Sequence, residues 1–151
     1  MDKTIKYHDL VNQINLRIPV KKMLSSVKFH LALCDCLVEL AERYNCLGIK
    51  KRVLHGDRLD VLWIDKNTEE IKLAFEVDGG FRSRSIKRLI RVKAKEKVWI
   101  FYGNSTGIEE FIKKNDPTSS ILIINLDNYR KHFRLKRRKR KKKEIINSLF
   151  S

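Results

Sequence analysis

Three carboxylates stand out in the stretch RLDVLWIDKNTEEIKLAFEVDGG, residues 58–80. Asp60, Glu76 and Asp78 sit there among apolar, β-prone residues, in a chain with 34 Lys and Arg against 18 Asp and Glu and a formal net charge of +16. LDVLWI and IKLAFEV read as two strands joined by the turn signal DKNTEE. Side chains alternate across a strand, so Glu76 and Asp78 point to the same side. With Asn67, Thr68 and Glu69 at the hairpin tip, Lys66 faces Glu70, Ile64 faces Lys72, Leu62 faces Ala74 and Asp60 faces Glu76. Opposed residues have Cβ atoms about 4.5–5.5 Å apart, which gathers all three acids at one sheet edge. Like charges that close repel, and burial makes the cost worse. A hard divalent cation, Mg²⁺ or alternatively Mn²⁺, is the compensation such a site takes. A one-residue slip of register would turn the side chains apart, and a lone strand carboxylate is ordinarily a solvated surface group.

The segment that follows, GGFRSRSIKRLIRVKAKE, is basic. Its two glycines allow a backbone to approach a ligand closely. Arg82, Arg84, Lys87, Arg88 and Arg91 are placed to meet phosphates, while Ile86, Leu89, Ile90 and Ala94 form a stripe to be buried. Phosphate contacts of this kind position a nucleic acid without reading its sequence. A solvated basic helix face would have the same composition; the density of Arg favours DNA. Trp63, Trp99 and Tyr102 lie within strands, where core packing outweighs base stacking. A second basic block, RLKRRKRKKKE, spans residues 134–144, with nine basic residues among the ten from Arg134 to Lys143. Arg137, Arg138, Lys139 and Arg140 lie at its centre and are expected to bind phosphates non-specifically. A solubilising tail or a nuclear import signal is the alternative.

The elements that must position these residues follow from periodicity. SSVKFHLALCDCLVELAERYNCLG reads as an amphipathic helix capped by Ser25 or Ser26 and ended by Gly48. IKKRVL is a first strand, followed by the hairpin. Ser85 is the expected cap of a helix through IKRLIRVKAKE. KVWIFYG is a fourth strand, GIEEFIKKN a short helix and SILIINL a fifth strand. The expected fold is α/β, in the order α-β-β-β-α-β-α-β, with a mixed sheet flanked by helices. The expected organisation is an extension over 1–24, a core domain over 25–126 and a basic tail over 127–151. The length of 151 residues suits one domain. Cys34, Cys36 and Cys46 form neither a disulfide framework nor a four-ligand zinc site and read as buried thiols. His8, His30, His55 and His132 are scattered. No signal peptide and no apolar run near 18 residues can be found, so the expectation is a soluble, intracellular protein with no membrane partner.

In this order of elements, with RLDV, AFEVD, a basic helix and KVWIFYG, the chain resembles the PD-(D/E)xK nuclease superfamily, the restriction-endonuclease-like fold, over roughly residues 25–126. The resemblance implies that Asp60 and Glu76 bind Mg²⁺, with the Val77 carbonyl as a further ligand. The family's usual Lys two residues after the Glu is Asp78 here, which would serve as a third ligand or a weak general base. Leu59 replaces the family's Pro, a minor variation. A Lys from elsewhere can substitute for the missing one, Lys87 or Lys72 being the candidates. A first-helix Glu joins the site in several members, and Glu39 or Glu42 can fill that place.

The leading expectation is a Mg²⁺-dependent DNA endonuclease that hydrolyses phosphodiester bonds. The alternative is a catalytically inactive nucleic-acid-binding protein on the same fold. A third reading is a basic adaptor that docks on a membrane or on an RNA–protein assembly, for which EIINSLF is a weak amphipathic helix. A homodimer would favour paired cuts, although no dimer surface can be read from the sequence.

Overall fold

The computed structural model describes residues 6–18, 25–54 and 57–126, with the backbone alone at 52–54 and 57. Helix α1 spans Tyr7–Arg17 and α2 spans Ser26–Leu40, continued by a 3₁₀ turn over Ala41–Tyr44. Strands β1 (Cys46–Leu54), β2 (Asp57–Asp65) and β3 (Ile71–Asp78) follow. Then come α3 (Ser83–Arg91), β4 (Glu96–Phe101), α4 (Ile108–Asn115) and β5 (Leu122–Asn125). The strands form one sheet in the order β1-β2-β3-β4-β5. The first two pairings are antiparallel, whereas β3–β4 and β4–β5 are parallel. The α/β class, the mixed sheet and the element order from α2 onward agree with the sequence reading. Helix α1 was not foreseen: Leu10 and Ile14 anchor it in the core, within what read as an extension.

Both faces of the sheet are covered, so its central strands lose the polar alternation of a half-exposed sheet. Val61, Trp63, Phe75 and Val77 pack with α1 and α2 on one face. Leu62, Ala74, Trp99 and Phe101 pack with Ile86 and Leu89 of α3 on the other, and Phe111 and Ile112 of α4 lie against them. Alternation along β3 then carries Glu76 and Asp78 to the α3 face with Ala74. Every residue from Leu73 to Asp78 is buried.

Local rules place the boundaries. The Ser25 hydroxyl accepts the Lys28 N–H at 3.2 Å and caps α2. The helical run ends at Asn45, whose φ of 55° is left-handed, and not at Gly48. Gly48 lies in β1 opposite Trp63. A Cβ there would stand 2.5 Å from the Val38 carbonyl oxygen, so only glycine lets β1 lie this close to α2. The Trp63 indole N–H donates to the Leu37 carbonyl at 2.8 Å alongside. We expect Gly48→Ala to destabilise the fold by about 1–3 kcal/mol, as overpacking does, measured by chemical denaturation.

The hairpin register has two parts. Leu62 faces Ala74 as anticipated, but Ile64 faces Ile71 and not Lys72. The Asp65 N–H donates to the Glu70 carbonyl at 2.9 Å, and the Lys66 N–H turns instead to the Asn45 carbonyl at 3.1 Å, so Lys66 does not face Glu70. A bulge between Trp63 and Ile64 absorbs the difference. It restores the anticipated register on the side of the carboxylates. Asp65 holds the turn by accepting the Asn67 and Thr68 N–H groups at 2.8 and 3.1 Å, which keep its pKa below the ordinary carboxylate value. Among the described residues, no helix is long and apolar enough to cross a membrane.

Candidate active site

The start of β2 lies beside the end of β3, and α3 rises from the Gly79–Gly80 loop over both. Between them opens a cleft of about 620 Å³. Asp60, Glu76 and Asp78 line it together with Val77, Arg82, Arg84 and Arg88. The Asp60 N–H donates to Glu76 Oε1 at 3.2 Å, and the Val77 N–H donates to Asp60 Oδ2 at 2.8 Å. The hairpin thus ties the two acids to each other's backbone and holds both carboxyl groups in one cleft.

Glu76 is 1% exposed. Its neighbours are the Ser85 hydroxyl and the Arg88 guanidinium, whose Nη1 lies 3.4 Å from Oε2. Arg88 divides itself, with the same nitrogen 3.4 Å from the Arg58 carbonyl oxygen. Both distances are at the long limit for a hydrogen bond, so the cation neutralises Glu76 only in part. Burial is the largest influence on Glu76, and repulsion from Asp60 and Asp78 adds to it; together they push its pKa up to about 8. Burial also raises the Asp60 pKa, against the Val77 N–H and the His30 ring that favour its charged form. His30 Nε2 stands 3.8 Å from Asp60 Oδ1. The acid pair is therefore short of positive charge.

Asp78 is engaged differently. Its Oδ2 accepts the indole N–H of Trp99 at 2.8 Å, and its Oδ1 lies 3.8 Å from Arg82 Nε. Trp99 packs in the core as expected and also orients this carboxylate. Tyr102, behind Asp78, has its pKa pushed up to about 12, first by burial and then by the Asp78 charge.

Other anticipated residues fall elsewhere. Lys87 and Arg91 do not line the cleft. Lys72 is at the hairpin end, where its charge acts on Asp65. Glu39 pairs with Arg17 at 3.2 Å and Glu42 with Lys66 at 2.6 Å, so neither acid reaches the site. Ser85 does not cap α3; Arg82 is at that position, and the buried Ser85 faces Glu76 instead. Ile90 is exposed, and Val92 completes the stripe of Ile86 and Leu89. Arg137, Arg138, Lys139 and Arg140 lie outside the described residues.

His30, Lys51, Arg58 and Phe81 line the cleft without having been singled out. Residue spacing carried no sign of them. His30 follows the core residue Phe29 on α2, at a helix edge that periodicity does not distinguish. Lys51 falls opposite Asp60, between the pairs Lys50↔Val61 and Arg52↔Leu59. Its φ of 51° is unusual for a non-glycine residue in a strand.

Among the described residues, no three His, Cys, Asp or Glu side chains stand as a ready metal cage. The donors that do meet are hard oxygens, from Asp60 and Glu76 with Asp78 behind them. They suit Mg²⁺, which takes one or two carboxylates and keeps several waters. The partial neutralisation of Glu76 and the raised pKa values of both acids are the features that a bound dication would relieve.

Comparison with family models, with curated proteins and with solved structures finds no match for this chain.

Proposed function

We propose that the protein is a Mg²⁺-dependent DNA endonuclease. The observation that carries this reading is the buried, under-neutralised pair Asp60 and Glu76 in a cleft whose other walls are cationic. Arg58, Arg82, Arg84, Arg88 and Lys51 surround two acids that would by themselves repel a phosphate. The acids therefore make sense as ligands, and the basic groups as the seat of the phosphodiester. Asp60 and Glu76 would hold the ion, with the Val77 carbonyl and Asp78 Oδ1 as further donors. When bound, it lowers the pKa of a water and neutralises charge building on the scissile phosphate. The resemblance to PD-(D/E)xK nucleases in the motif and the element order supports the same reading.

The chain's own residues do the rest. Arg82 and Arg84, both exposed at the start of α3, engage flanking phosphates and fix the register of the strand. Arg88, already between Glu76 and Arg58, limits how far the acids repel the substrate. The positive charge that position 78 lacks would come from Lys51, which lies on β1 opposite Asp60 and lines the cleft. Lys51→Met is expected to lower the cleavage rate at least tenfold, whereas Lys87→Met leaves it unchanged. Single-turnover cleavage measures both.

The engagement of Asp78 with the Trp99 indole favours one other reading, a binding module that retains the fold without turnover. Plasmid nicking and oligonucleotide cleavage in Mg²⁺, Mn²⁺ and EDTA separate the two. Cleavage that requires the dication supports the endonuclease. Tight binding without cleavage of duplex, single-stranded or branched DNA supports the module.

A further inference from the structure

Resting on the nucleic-acid reading of this cleft, we infer that Phe81 is a stacking platform for an unpaired base, and that the substrate class is single-stranded or branched nucleic acid. Phe81 sits between the glycine loop and Arg82. Its ring stacks on Phe111 at a centroid distance of 5.0 Å and an interplanar angle of 12°, and meets Phe101 at 5.2 Å. Phe111 in turn packs on Trp99 at 5.5 Å. An aromatic column thus runs from the buried indole that holds Asp78 out to the cleft.

The outer ring of the column is left 39% exposed. The other large apolar side chains that are exposed among the described residues, Leu16, Val27, Leu31, Leu47 and Ile90, are aliphatic and lie outside the cleft. Phe81 alone of this group is flat, and it alone faces the cationic walls. Phe111 stacks on the ring and Phe101 lies against it at a tilt of 32°, so a further ring can reach Phe81 only at the exposed part that lines the cleft.

A nucleobase matches that surface, since every base has an aromatic face and its phosphate would fall near Arg82 and Arg84. Within a duplex the base faces are covered by their neighbours above and below. Away from a duplex end, only an unpaired or displaced base offers one to Phe81, so the platform selects for strand segments that are single, flapped or branched.

The test is binding of the full-length protein in EDTA, followed by fluorescence anisotropy of a labelled single-stranded oligonucleotide and of a flapped duplex. Relaxed circular duplex, which has no ends, is the competitor. Wild type is expected to prefer the single strand and the flap by about tenfold or more. Phe81→Trp should keep the preference. Phe81→Leu, which retains apolar packing against Phe111 but lacks a flat face, should lose about five- to tenfold in single-strand affinity with duplex affinity unchanged. A thermal melt of the leucine variant confirms that the fold is intact. Equal single-strand affinity for wild type and Phe81→Leu, or a wild-type preference for duplex, would overturn the inference and leave the nuclease reading standing. Failure to bind any of the three DNAs would overturn the inference, and the same failure with Ca²⁺ in place of EDTA would overturn the nuclease reading as well.

Discussion

Glu76→Gln is expected to abolish metal-dependent cleavage and, at alkaline pH, to make the protein more stable. The two effects have one cause. Glu76 is buried against Asp60 and Asp78 with a single divided cation beside it. Its charge serves the proposed ion and burdens the fold. Glutamine keeps the shape, and its amide oxygen still accepts the Asp60 N–H now held by Oε1. Arg88 loses a partner but is a quarter exposed and can reach water. The net gain should be about 1–3 kcal/mol once solvent and relaxation are allowed for. For a domain of this size that is about 2–4 °C in Tm for each kcal/mol. Asp60→Ala is expected to abolish cleavage as well. Undiminished nicking by either variant would remove the proposed site, and a Glu76→Gln protein that melts below wild type at pH 9 would show that the charge was not a burden.

The second large effect concerns pH and dications. Glu76 titrates near 4.5 in the unfolded chain and is pushed up to about 8 in the fold. Between these values the folded protein holds a proton that the unfolded chain has released. The contribution to stability is fully present below about pH 4.5 and is lost as pH rises through about 8. Asp60, also raised, acts in the same direction. Asp65 is lowered and acts oppositely, its contribution fading only as pH falls through the acidic range. Protein freed of dications should therefore lose Tm steadily from pH 5 to pH 9. Millimolar Mg²⁺ should restore much of the loss at the alkaline end, by about 2.7 kcal/mol at a hundred times the dissociation constant. Glu76→Gln should flatten the profile and abolish the response to Mg²⁺. A flat wild-type melting profile without dications would refute the electrostatic account.

Much of the site was legible because it is built from a short-range pattern. Alternation alone placed Glu76 and Asp78 on one side of β3, and the turn signal brought Asp60 alongside. The bulge between Trp63 and Ile64 could not be read, because one extra residue in a strand leaves the polar pattern of the hairpin nearly unchanged. The cations were harder. Arg82, Arg84 and Arg88 were found through their proximity in sequence to the glycine loop. Lys51 and His30 reach the cleft from β1 and α2, through tertiary packing and a left-handed backbone that no spacing encodes. Helix α1 was missed although Tyr7, Leu10, Val11, Ile14 and Ile18 recur at helical spacing and face the core; the polar and basic residues between them gave the first 24 residues a mixed composition that hid the stripe. Gly48 was read through the commonest role of glycine after a helix, when the close approach of Val38 was the actual reason for its presence.

The unbroken strand order has a bearing on how the molecule assembles. Asp60 and Glu76 are separated by sixteen residues, and closing a single hairpin brings them together. The entropy of loop closure rises only with the logarithm of loop length, so this meeting is inexpensive for the chain. Arg88 comes from beyond that hairpin, on the helix that crosses to β4. The mutual repulsion of the acids is therefore a property of one contiguous segment, while the cation beside Glu76, Arg88, is encoded after it and the ring beside Asp60, His30, before it. Nucleation that starts in the meander β1-β2-β3 confronts the like charges before the helix bearing Arg88 has docked beside Glu76.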